Sequence, residues 1–150
     1  MCYAAYIGTD NKQLVRKFIA DQTFLYLEDL TQEKEIIGLR SKFNKIYIYY
    51  VGSYQGCSCG FTHDPTQFDE DDDYDKKEKS NAIKSCNSLL SLIDDLTKKE
   101  TIEFYCCWEG DWEEPIGESI KIDINKIRLG MNYFGLVERR FILFNQQTLS

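Results

Sequence analysis

Apolar and polar positions alternate with a period of two in several short stretches of the chain and with a helical period in others. Residues 2–7, rich in Tyr and Ile, predict a buried strand. Asp10 followed by Gln13 is a capping pattern, and Leu14, Val15, Phe18 and Ile19 then fall at helical spacing, predicting a short helix. Phe24 to Glu28 predicts a second strand. Thr31 is placed to cap a further helix through Ile36, Ile37, Leu39, Arg40 and Phe43. The run Lys45 to Val51 is the clearest strand, apolar on both faces as in the middle of a covered sheet. A stripe of Ala82, Ile83, Cys86, Leu89, Leu90, Ile93 and Leu96 marks the longest helix, starting at Asp75 or Ser80, with Lys98 and Lys99 suited to its C-terminal dipole.

The second half reads as strands. In Thr101 to Trp108, Ile102, Phe104, Cys106 and Trp108 point one way, and Glu103, Tyr105 and Cys107 the other. An exposed loop from Gly110 to Gly117 leads to strands at Ser119–Ile124 and Arg140–Phe144. Strand, long helix and strand over residues 45–108 predict a right-handed crossover between parallel strands. The consecutive strands of the tail are expected to pair antiparallel. The architecture these elements predict is α+β: a single mixed β-sheet of about five to six strands covered by two to three helices. The whole chain, residues 1–150, reads as one globular domain, because nothing in it looks like a linker or a repeat.

Composition narrows the class. The chain has 150 residues, 43% of them hydrophobic, too many for a disordered protein. Its 25 acidic residues outnumber 18 basic ones, which argues against a nucleic-acid binder. The tyrosines at 47, 49 and 50 read as sheet packing, since a base-stacking platform would come with Arg and Lys. No apolar run approaches the about 20 residues needed to cross a bilayer. The start of the chain lacks the basic flank and length of a signal peptide, and no polar linker follows Cys2 as in a lipoprotein. A cytoplasmic protein with reduced thiols is the simplest expectation.

Much of the acidic excess lies in two places. Residues 69–75, within a loop spanning 64–75, include Asp71, Asp72 and Asp73, and like charges so close together predict a solvated loop. They lack the glycine and distal glutamate of a calcium-binding EF-hand. The second place is residues 109–114, where Glu109, Asp111 and Trp112 set an aromatic ring among carboxylates. Tryptophan beside acidic groups suits contact with a basic protein partner; the plainer alternative is a solvated turn.

The six cysteines are Cys2, Cys57, Cys59, Cys86, Cys106 and Cys107. Near-adjacent pairs do not bridge each other without strain, and a core of this size needs no disulfides. Cys86 and Cys106 fall on apolar faces and read as core. The stretch Tyr50-Val51-Gly52-Ser53-Tyr54-Gln55-Gly56-Cys57-Ser58-Cys59-Gly60-Phe61, the opening Met1 to Ile7 and the segment Cys107-Trp108-Glu109-Gly110 together resemble an uncharacterised family of small bacterial proteins. Such proteins share an N-terminal Met-Cys strand, a YVGSxxGCxCGF loop and a later Cys-Trp-Glu-Gly segment. The resemblance implies one small cytosolic domain and no particular activity. The acidic run and His63 lie outside the shared motifs.

Three chemistries compete for these residues. Non-enzymatic binding of a basic partner through the acidic loops is the leading expectation. A zinc-type site from Cys2, Cys57, Cys59 and Cys107, with His63 as substitute ligand, is the second; thiolate and imidazole are ligands zinc prefers, but C-x-C is tighter than the usual knuckle. Against it stands plain packing of small side chains at a glycine-bounded bend. A thiol enzyme centred on Cys57 or Cys59 is third, with nearby carboxylates working against a reactive thiolate. Cys2 as an N-terminal nucleophile would need removal of Met1, and a small residue in a buried strand is simpler. The loop Gly52 to Gly60 also stands where α/β sheets bind small ligands, though no phosphate-loop Lys follows.

Overall fold

The computed structural model describes residues 2–61, 71–127 and 136–147. Among the described residues six strands form one mixed sheet: β1 (Tyr3–Thr9), β2 (Leu25–Asp29), β3 (Tyr47–Ser53), β4 (Ile102–Trp108), β5 (Glu118–Asp123) and β6 (Arg140–Asn145), in the order β2-β3-β1-β4-β6-β5. The α-helices among the described residues are α1 (Ile37–Arg40) and α2 (Asp73–Thr97). The α+β class, the mixed sheet and the strand count agree with the sequence pattern.

The strand β1 lies between β3 and β4 and is antiparallel to both, with Ala5 opposite Val51 on one side and Cys106 on the other. The flanking strands β3 and β4 therefore run parallel to each other, as the crossover pattern predicts, but β1 separates them. The tail departs from expectation: β5 and β6 pair parallel, from Glu118 opposite Arg140 to Asp123 opposite Asn145. The physical reason is the connection. Residues 124–139 are enough chain to return to the starting end of the sheet, which a tight hairpin turn is not.

Alternation along the strands separates two apolar layers. On one face Ala5, Ile7, Tyr49, Val51, Ile102, Phe104, Cys106, Ile142 and Phe144 pack beneath Leu89, Leu90, Ile93 and Leu96 of α2. The opposite face carries Ala4, Tyr6, Ile48, Tyr105 and Cys107, covered by Ile36, Leu39 and Phe43. Both layers exclude water, which is why β3 and β4 read as apolar throughout.

The helix expected after Asp10 does not form. Residues 11–19 have no regular structure, and Leu14, Val15 and Ile19 are exposed. The carboxylate of Asp10 accepts from the Ile46 N–H (3.1 Å) and pairs with Lys45 (3.3 Å) instead of capping, and the Gln13 N–H donates to the Tyr49 hydroxyl (2.7 Å). An amphipathic helix here would need a sheet face to cover, and α2 occupies the near one. Thr31 likewise caps nothing; its hydroxyl oxygen accepts from the Ile48 N–H (3.2 Å), extending the β2–β3 pairing, and only the four residues of α1 are helical. The acidic run is also partly helix: α2 begins at Asp73, with the Asp72 carboxylate accepting from the Tyr74 N–H at 2.8 Å. Carboxylates in a first turn face the positive end of the helix dipole, which offsets their mutual repulsion.

Candidate metal centre

The loop leaving β3 is built on two serines. Ser53 is fully buried; its N–H and its hydroxyl both donate to the Cys57 carbonyl (2.8 and 2.6 Å), and its Oγ accepts from the Gly60 N–H (3.0 Å). Gly60 has to be glycine, because a Cβ there would stand 2.1 Å from that Oγ. Gly56 takes a φ of +79°, a left-handed conformation that costs glycine nothing. Ser58, buried in a 3-10 turn (Ser58–Phe61), donates to the Val51 carbonyl (2.6 Å) and accepts from the Ala5 N–H (2.9 Å). Its hydroxyl thus bridges the last paired residues of β1 and β3.

The next rung is made by sulfur. Beyond Ala5, the Tyr3 N–H donates to Cys59 Sγ at 3.3 Å. The C-x-C loop is thereby wedged against the start of β1, where Cys2 sits. The Sγ atoms of Cys2, Cys57 and Cys59 all lie within 4.8 Å of one another, and each residue is half-buried. None of the six cysteines is in a disulfide. The end of β4 and the residue after it close the same end of the sheet: Trp108 stacks on Tyr3 with ring centroids 4.1 Å apart, and the Glu109 N–H donates to the Cys2 carbonyl (2.9 Å). The opening strand, the glycine-serine loop and the Cys-Trp-Glu-Gly segment, separate in the chain, adjoin here.

Burial pushes the Cys57 thiol up to about 12, with the neighbouring Cys59 and Cys2 sulfurs adding to the shift. Clustered sulfurs resist carrying several negative charges in a partly dry site. A bound cation reverses that preference, since a coordinating thiol gives up its proton outright.

Nothing matches this chain among family models, curated proteins or solved structures.

The four-cysteine set read from sequence is therefore brought together as three. Cys107 lies fully buried in the layer on the far side of the sheet from α2, opposite Ala4, because strand alternation turns it away from its neighbour Cys106. Burial raises its thiol to about 12 as well. Cys106 lies in the layer beneath α2, and Cys86, on α2 itself, packs against that layer, as expected. His63 lies outside the described residues.

The acidic residues read as a partner surface lie at two places in the fold. Asp72 caps α2, and Asp73 is in its first turn. The Asp111 N–H closes a turn onto the Trp108 carbonyl at 3.0 Å. Trp112 is half-buried, its Nε1–H donating to the Tyr6 hydroxyl at 2.8 Å. Ser53 and Ser58 escaped the sequence reading, although two serines among the glycines of a buried loop are a signal: a hydroxyl replaces backbone pairing where strands part.

Among the described residues, no helix is long and apolar enough to cross a membrane.

Proposed function

We propose that the protein binds a thiophilic metal ion of the zinc type through Cys2, Cys57 and Cys59. The single observation that carries this reading is the convergence of three sulfurs from two distant segments onto one point. Zinc–sulfur bonds of about 2.3 Å set the sulfurs of a tetrahedral site about 3.8 Å apart, a small contraction from the arrangement described above. Three protein thiolates leave one tetrahedral position to a ligand from outside the trio. An open fourth position is the mark of a site that exchanges ligands.

The hydrogen bonds of Ser53 and Ser58 fix the C-x-C backbone before any metal arrives, which reduces the ordering entropy that binding must offset. The thiol-enzyme alternative is less well supported at Cys57, because a thiol held protonated by burial is a weak nucleophile at neutral pH. A metal that binds here must displace that proton, so binding tightens as pH rises.

Titration of reduced protein with cobalt(II), under anaerobic conditions, tests the reading. One equivalent is expected to bind with sulfur-to-metal charge-transfer absorption, and zinc is expected to displace it. Cys2→Ser, Cys57→Ser and Cys59→Ser should each weaken binding by more than about tenfold, while Cys86→Ser leaves it unchanged. Absence of charge-transfer absorption, or unaltered affinity in all three serine variants, would overturn the assignment.

A further inference from the structure

The sheet face away from α2 carries a cleft that none of the three converging cysteines lines. Tyr26, Tyr50 and Tyr6 stand on the three neighbouring strands β2, β3 and β1 and, with Trp112, wall a cleft of about 320 Å³. The rings are set at angles to one another, Tyr6 to Tyr50 at 68° with centroids 5.9 Å apart and Tyr26 to Tyr50 at 53° and 6.1 Å. They are also held in place. The Trp112 Nε1–H donates to the Tyr6 hydroxyl, and the Tyr26 hydroxyl donates to the Gly56 carbonyl at 2.6 Å. Gly52, opposite Tyr26 in the β2–β3 ladder, leaves room for that ring: a Cβ there would lie 2.0 Å from Tyr26 Cζ.

Carboxylates supply the rest of the wall. Glu28, Glu33, Glu35 and Glu109 line the cleft, and among the described residues no lysine or arginine does. Their oxygens do not converge: among the described residues the only trio of ligand atoms close enough to hold a metal is the cysteine one. A bare metal ion is therefore poorly served, whereas a cation with dispersed charge and an apolar surface meets negative aromatic faces and a negative field together. A cleft of this volume admits a small head group.

We infer that this cleft binds a methylated ammonium head group, carried either by a small molecule such as choline or by a methylated lysine side chain. The two sources share one chemistry, a quaternary nitrogen whose methyl groups lie against the half-exposed rings of Tyr50 and Trp112, backed by the buried Tyr6 and Tyr26, while the glutamates balance its charge.

Calorimetric titration with tetramethylammonium and choline, followed in parallel by the aromatic NMR resonances of the cleft, tests this. The neutral isostere 3,3-dimethylbutanol and a trimethyllysine peptide are the companion ligands. Saturable binding of the cations is expected, at least about tenfold tighter than the isostere, with shifts in the Tyr6, Tyr50 and Trp112 resonances. Tighter capture of choline or of the peptide identifies the source. Glu28→Gln and Glu109→Gln, both at exposed positions, should each weaken cation binding roughly threefold without changing the fold. Equal affinity for the isostere, no saturable binding of any quaternary ammonium ligand, or a double glutamine variant that binds as the parent does would overturn the inference.

Discussion

Glu100 and Glu103 show how differently two nearby carboxylates serve this fold. Glu100 accepts from the Thr9 hydroxyl (2.9 Å), the Asp10 N–H (2.8 Å) and the Asn11 amide, and pairs with Lys45 at 3.3 Å. Although burial alone would raise its pKa, these contacts hold it below the ordinary carboxylate range. A depressed folded-state pKa stabilises the fold above the unfolded value, and that stabilisation is lost as pH falls through the folded one. Glu100→Gln should thus cost about 1–3 kcal/mol in urea unfolding at pH 7, with the gap to the parent narrowing in acid. Glu103 has the opposite sign. It is buried, and desolvation raises it despite N–H donors at Asn44 and Lys45, so its contribution is present at low pH and lost as pH rises through the folded value. Neither role was legible in the sequence, where Glu100 precedes a strand and Glu103 lies within it. What decides them is donors supplied from residues 9–11 and 44–45, far away in the chain. The cysteines were more legible: alternation alone separates Cys106 from Cys107, and the C-x-C loop was singled out. The convergence of Cys2 with that loop depends on which strands are neighbours, and spacing along a chain does not encode that.

Periodicity identified all six strands and the long helix, because each of those elements buries the face its pattern marks. It failed where local signals had tertiary competitors. Asp10 and Thr31 are both good caps by type, yet each bonds to a backbone N–H beside or within β3. Asp72 is the converse, an acidic residue within a charged run that does cap. Asp72→Ala should destabilise the protein by about 0.5–2 kcal/mol in chemical denaturation, and Asp72→Asn by less, since asparagine also caps. The parallel pairing of β5 with β6 was out of reach of pattern alone, because strand direction follows from how the connection returns and not from the strands.

At the scale of the molecule, the thiol trio and the aromatic cleft occupy different parts of the sheet. The thiol trio stands at the end of β1 where the strands part, while the aromatic cleft opens on the face away from α2. Tyr26 touches both, walling the cleft and donating to the carbonyl just before Cys57. The sheet order also has a consequence for how the protein comes into being. β1 is an interior strand, yet its partner β4 is made about a hundred residues later in synthesis. At roughly 5–20 residues per second, that leaves an apolar strand half-paired for about 5–20 s. A fragment ending at Glu100 should accordingly show neither dispersed amide resonances nor a cooperative melt, because β1 lacks a neighbour and α2 has half a sheet to cover. The nascent chain therefore needs shielding along one edge of β1, and the time for which it needs it is set by the position of β4 in the sequence.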